Sequence, residues 1–162
     1  MYLNFEDLDD AARVWVYQSS REFSENEVEE ISLKIEAFIQ KWQRHGEDLK
    51  ASYQVKYNQF IVIAVDEIFN NISGCSIDAS VNFIKTLENE FSVDLTNKLN
   101  ISFKDDSNIN IVSMADFQKY AKLQKITSNT IVFNNMITSK SDFKTNWEVP
   151  ASESWHKRFL VS

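Results

Sequence analysis

The stretch from Ser24 to Trp42 limits this chain more than any other. Ser24-Glu25-Asn26-Glu27 has serine followed three residues later by glutamate. That is the capping-box spacing, in which hydroxyl and carboxylate each close a backbone N–H that a helix start leaves open. Behind it Val28, Ile31, Ile35, Phe38, Ile39 and Trp42 recur at three- and four-residue steps. Such a period gathers them on one stripe of an α-helix, which must be covered by another layer. The spacing predicts a helix near 24–43, ending at His45-Gly46 with the glycine at the C-cap.

The flanking sequence says what that layer is. Residues 13–18, RVWVYQ, are aromatic and β-branched and predict a strand. Ala51, Tyr53, Val55 and Tyr57 alternate with polar residues, the signature of a half-buried strand. Gln59 to Val65 is nearly all apolar, as in a central strand covered on both faces, and a tight turn near Asn58 joins the two as a hairpin. Ile77, Val81, Ile84, Leu87 and Phe91 predict a second amphipathic helix near 77–91. Leu99, Ile101 and Phe103 alternate again before KDDSN turns the chain into Ile109 to Val112. The first six elements match the split βαβ pattern of a ferredoxin-like α+β fold, an antiparallel sheet with both helices on one face.

We therefore expect one α+β domain over 1–162, with a core at 13–103 and an extension at 104–162. The extension consists of a C-terminal hairpin, short helices and an aromatic arm, NWEVPASESWHKRF. Ser113 to Asp116 has the look of another capping box, and Thr130 to Phe133 reads as an added strand. Trp147, Trp155 and Phe159 either staple the arm to the domain, the favoured reading, or dock a partner. His156 reads as a surface group on a terminal helix. Asp105-Asp106 lacks the spaced ligands of a calcium loop and reads as a solvated turn.

Composition excludes several function classes. The net charge is −7, from 17 basic against 24 acidic residues, without a Lys/Arg cluster, so neither nucleic acid nor an anionic membrane surface is an expected partner. The start, MYLNFEDLDD, is acidic where a signal peptide is basic and then apolar, and cytoplasm is the expected location. One cysteine and two histidines form no structural zinc set, and no metal or cofactor is expected. With two glycines and one proline, the turns must rely on Asn, Asp and Ser.

Four segments carry a resemblance: RVWVYQSSREF, the His45 to Ser52 stretch, SGCSIDASVNFI and NWEVPASESWHKRFL. Together they resemble an uncharacterised group of Bacteroidetes proteins of about this length, often labelled "ABC transporter ATPase". The resemblance implies no catalytic roles, and the label fails on this sequence. A Walker A loop wraps glycine-rich backbone around phosphates and ends in Gly-Lys-Ser/Thr. Neither Gly46 nor Gly74 is followed by lysine.

The predicted topology gathers one candidate site. The connection from the first helix to the second strand and the connection from the third strand to the second helix fall at the same end of the sheet. The first holds His45 and Gly46; the second holds Asp66, Glu67 and SGCSIDAS at 73–80. A helix start stabilises a thiolate, and histidine is the usual partner in cysteine chemistry, so Cys75 with His45 is the thiol-enzyme or redox-sensor reading. The blander reading makes Cys75 a packed structural residue, with Gly74 allowing the bend and Ser76 or Asp78 capping the helix; this is the expectation here. A third reading uses Gly74 and the following N–H groups as a small anion nest for a ligand, with Asp66 and Glu67 opposing a strongly anionic one. The chain reads as a ligand-binding or protein-interaction domain, with the thiol enzyme as the alternative.

Overall fold

The computed structural model describes residues 1–66 and 73–161. The elements are β1 (Arg13–Gln18), α1 (Glu25–Lys41), β2 (Gln43–Arg44), β3 (Glu47–Asp48), β4 (Ala51–Lys56), β5 (Phe60–Val65), α2 (Gly74–Phe91), β6 (Asn100–Asp105), β7 (Asn108–Ser113), α3 (Met114–Lys122), β8 (Ile131–Phe133), α4 (Lys140–Asn146) and β9 (Glu148–Pro150). They fall into two compact units, Met1–Thr96 with Thr138–Ser141, and Asn97–Ile137 with Asp142–Ser162. The α+β class is as the sequence predicts.

In the first unit the capping box forms. Glu27 N–H donates to Ser24 Oγ at 3.2 Å, and Ser24 N–H donates to Glu27 Oε1 at 3.0 Å. Arg21 forks onto the same carboxylate at 2.8 Å and donates to Phe91 O, the last carbonyl of α2, at 2.7 Å. These bonds hold the Glu27 pKa down at about 2.

The sheet has the order β1-β5-β4, all antiparallel. The β4–β5 turn places Tyr57 and Asn58 in left-handed backbone, closed by Gln59 N–H to Lys56 O at 3.0 Å. Ile61, Ile63 and Val65 join Ile31, Ile35 and Ile39 of α1 and Ile84, Leu87 and Phe91 of α2 in one buried cluster. Both helices therefore cover the same face of β5. Phe60, Val62 and Ala64 alternate to the other face and are buried as well. Each fully buried isoleucine contributes about 1.5–3 kcal/mol relative to exposure.

The fourth strand of the ferredoxin-like pattern is a correction. It would have to pair with the outer edge of β1, and that edge is taken. Val14 N–H donates to Thr138 O at 2.9 Å, and Arg13 bridges Ser139. The buried Lys140 secures the segment by donating Nζ to Leu8 O at 2.6 Å and Glu6 O at 3.2 Å. The strand at 100–105 instead belongs to the second unit, whose sheet has the order β7-β6-β8-β9. The expected core at 13–103 thus gives its last strand to that unit.

There Ser113 caps α3, accepting from Asp116 N–H at 3.1 Å. Asp106 makes the β6–β7 turn in left-handed backbone. Trp147 is buried against Phe133 and Phe143 and donates Nε1 to Asn135 Oδ1 at 2.9 Å. Trp155 and Phe159 pack on the cluster built around Ile101 and Phe117.

His156 corrects a second expectation. It is wholly buried, stacked on Trp155 at 3.9 Å, with Nδ1 2.7 Å from Ser154 Oγ and, among the described residues, no hydrogen-bond partner for Nε2. Its segment, Trp155–Phe159, is a 3-10 helix, whose three-residue turn presents a different set of side chains inward than an α-helix would. Burial, with the repelling charge of Arg158 added, lowers its pKa from 6.5 to about 4. The unfolded chain thus takes the proton first as pH falls. The associated stability is complete above pH 6.5 and is lost as pH drops through about 4, on the order of 3 kcal/mol in all. Urea melts across this range should show wild type losing this stability relative to His156→Gln; parallel pH profiles would contradict it.

Candidate functional site

Both loops that the topology brings to one end lie in the first unit, and they share a surface groove. Its origin is the end of α1. Phe38 and Trp42 stand four residues apart, on one face of the last turn, with ring centroids 5.2 Å apart. Phe38 also stacks on Phe83 of α2 at 4.5 Å. At Trp42 the backbone leaves the helix for extended geometry and enters the β2–β3 hairpin. Trp42 O accepts from Leu49 N–H at 3.0 Å beneath it, and Gln43 Nε2 donates across it to Asp48 Oδ1 at 3.0 Å.

The hairpin tip is His45-Gly46, both in left-handed backbone with φ of 50° and 81°. Two successive positive φ values make a type I′ turn, which matches strand twist and favours glycine at its second position. Gly46 therefore serves the hairpin and not a helix C-cap, a correction to the sequence reading. The helix ends earlier because Trp42 turns inward: its indole is buried and donates Nε1 to Ser76 O at 2.9 Å.

Ser76 returns the bond, donating Oγ to Gln43 O at 2.8 Å. Its N–H donates to Ser73 Oγ at 3.2 Å, so Ser73, not Ser76 or Asp78, caps α2. With the Ser76 proton given to Gln43 O, the 2.9 Å contact between the two serine hydroxyls is donated by Ser73. Gly74 opens the helix without a positive φ, and among the described residues nothing lies within 4 Å of where its Cβ would be, so no bend requires it.

Cys75 corrects the remaining expectation. It is exposed, not packed. The buried face of α2 runs through Ser76, Ser80, Ile84, Leu87 and Phe91, and a residue one position before that series is turned about 100° away from it. The sequence stripe enters the helix at Ile77 and Val81; the structure buries Ser76 and Ser80 in their place and shares Ile84, Leu87 and Phe91.

The groove has a volume of about 380 Å³. Phe38 and Trp42 supply its aromatic wall, Lys41 and His45 its cationic and imidazole groups, and Cys75 and Ala79 its α2 side. His45 and Cys75 thus meet at one groove, together with Gln43, Ser73 and Ser76. Gly46 and Asp78 are exposed and do not line it, and Gly74 adjoins it through the backbone. Asp66 is half-buried outside the lining, and Glu67 lies outside the described residues. The aromatic wall was missed in the sequence because Phe38 and Trp42 read as core; their place in the last turn of the stripe was the available signal.

Of the expected interaction residues, Trp147 is consumed by packing within the second unit, and Trp155 and Phe159 are half-buried there. Among the described residues no cluster of three His, Cys, Asp or Glu could hold a metal ion, and no helix is long and apolar enough to cross a membrane. No protein-family model, curated protein or solved structure matches the chain.

The exposure of Cys75 gives a direct check. A thiol reagent at neutral pH should modify one equivalent in the folded protein at a rate close to that of the urea-unfolded chain. Labelling that waits for unfolding would contradict the placement.

Proposed function

We propose that the first unit binds a small molecule with a flat apolar body and a carboxylate, in the groove between the end of α1 and the start of α2. The observation that carries this reading is the composition of the groove. A Phe38–Trp42 wall stands beside a Lys41 ammonium and the opening turn of an 18-residue helix. The ring face suits a planar apolar group, while the cation and the positive end of α2 suit an anion. Among the described residues no hydrogen bond takes the N–H of Gly74 or Cys75, leaving both as donors. About 380 Å³ lies within the roughly 300–1,000 Å³ of small-molecule sites. The kinship expected with the Bacteroidetes group assigns no activity to this groove.

A second reading rests on Cys75 itself. An exposed thiol in the same groove as an imidazole supports covalent chemistry on a bound electrophile or redox sensing, with His45 as the base. The two readings separate on His45, which a carboxylate-binding groove does not need.

Titrating aryl and alkyl carboxylic acids into the labelled protein, followed by amide chemical shifts, tests the proposal. Aryl acids should move the Cys75, Ser76 and Ala79 amides, and Lys41→Glu should weaken binding several-fold while His45→Ala leaves it nearly unchanged. Shifts confined to other surfaces, or none, would overturn the binding reading. Thiol modification slowed many-fold by His45→Ala would favour the covalent one.

A further inference from the structure

The geometry points to β7 as a homodimer edge, at which a second copy of this chain adds its own β7 antiparallel and the two four-stranded sheets become one. A strand edge is a row of unpaired N–H and C=O groups, and folded proteins blunt such edges by covering them, charging them, shortening them or placing proline there. Among the described residues, three of the four edges of the two larger sheets show such devices, and the β2–β3 ribbon is only two residues long on each side. The β1 edge is covered by residues 138–139. The β4 edge is covered at Ala51, which donates to Met1 O and accepts from Leu3 N–H, both at 3.0 Å, and it ends in Lys56. The β9 edge is three residues long, begins with Glu148 and ends in Pro150.

The β7 edge has none of them. Its sequence, NINIVS, carries no charge, proline or glycine. Its register with β6 runs unbroken from Asn100↔Ser113 to Asp105↔Asn108, without a bulge to twist the edge away. Among the described residues β6 is its only hydrogen-bonded neighbour in a sheet. An edge of this length and composition is a template for another strand.

The occupant is a second copy because the strand is complementary to itself. Val112 packs on the cluster built around Ile101 and Phe117, so Asn108, Asn110 and Val112 share that face, and Ile109 and Ile111 share the other. A two-fold axis through Asn110 keeps each face matched. Asn110 then opposes its own symmetry mate, Ile109 opposes Ile111, and Asn108 opposes Val112. Isoleucine then meets isoleucine on one face, and the two Asn110 amides meet on the other. No like charges meet along the pairing, although the chain as a whole is acidic. A register one residue away would set Asn110 against Ile109 or Ile111 and turn the faces of the two sheets opposite ways.

Sedimentation equilibrium of the full chain tests this. The wild type should associate from 18.9 kDa to twice that mass with rising concentration. Asn110→Lys, which sets two ammonium groups opposite each other, should weaken association at least about tenfold with an unchanged circular dichroism spectrum. Directly opposed residues have Cα atoms about 4.5–5.5 Å apart, within disulfide reach. Asn110→Cys on a Cys75→Ser background should therefore form an intermolecular disulfide readily, while Asn108→Cys should not. This second variant keeps the test decisive if Asn110→Lys unfolds. A wild type that stays at 18.9 kDa into the hundreds of micromolar would overturn the proposal, as would a dimer indifferent to Asn110→Lys or cross-linking equally at 108 and 110.

Discussion

The first unit depends on a reciprocal pair of hydrogen bonds between the Trp42–Gln43 step at the end of α1 and Ser76 at the start of α2. The indole N–H of Trp42 donates to the Ser76 carbonyl, and the Ser76 hydroxyl donates to the carbonyl next to Trp42, that of Gln43. Both groups sit where burial is complete or nearly so, where an unmet donor or acceptor costs about 1–3 kcal/mol. The pair fixes the last turn of α1 to the first turn of α2. At the opposite ends, Arg21 joins the Glu27 carboxylate near the start of α1 to the last carbonyl of α2. Two antiparallel helices are pinned at both ends, and the isoleucine cluster fills the space between them and β5.

The groove is a consequence of that pinning. Because Trp42 turns inward, α1 stops at Lys41, and the chain must leave through the short β2–β3 hairpin that carries His45. Because Ser76 turns inward, Cys75 turns outward. The same contact that closes the core therefore sets an imidazole, a thiol, a lysine and two aromatic rings around one opening. The first turn of α2 and the aromatic wall of the groove are thus held in place by core packing.

Much of this was legible in the sequence, and the parts that were not have physical reasons. The capping box at Ser24, the isoleucine stripe and the β4–β5 alternation each express a local rule that tertiary structure did not override. The meeting of the His45 and Cys75 loops followed from strand direction alone. The fourth sheet strand was illegible because the competitor for the β1 edge, the segment 138–139, lies far along the chain and has no strand pattern of its own. Cys75 was expected to be packed because a free cysteine usually serves as a small apolar filler, whereas Ser76 and Ser80, polar yet buried, take the inward positions of the first turns. The turns expected near Asn58 and at Asp105-Asp106 form with Asn58 and Asp106 in left-handed backbone. His45, Tyr57, Ser92 and Gln124 in left-handed backbone had no such signal.

The two bonds that join the end of α1 to the start of α2 can be removed one at a time. Each side chain donates to a backbone carbonyl, so Trp42→Phe deletes only the bond to Ser76 O and Ser76→Ala only the bond to Gln43 O. In urea melts each single change should destabilise the protein by about 1–3 kcal/mol, through the carbonyl it leaves unmet. Variants that both melt within about 0.5 kcal/mol of the wild type would mean that the end of α1 and the start of α2 are held together by something other than these bonds.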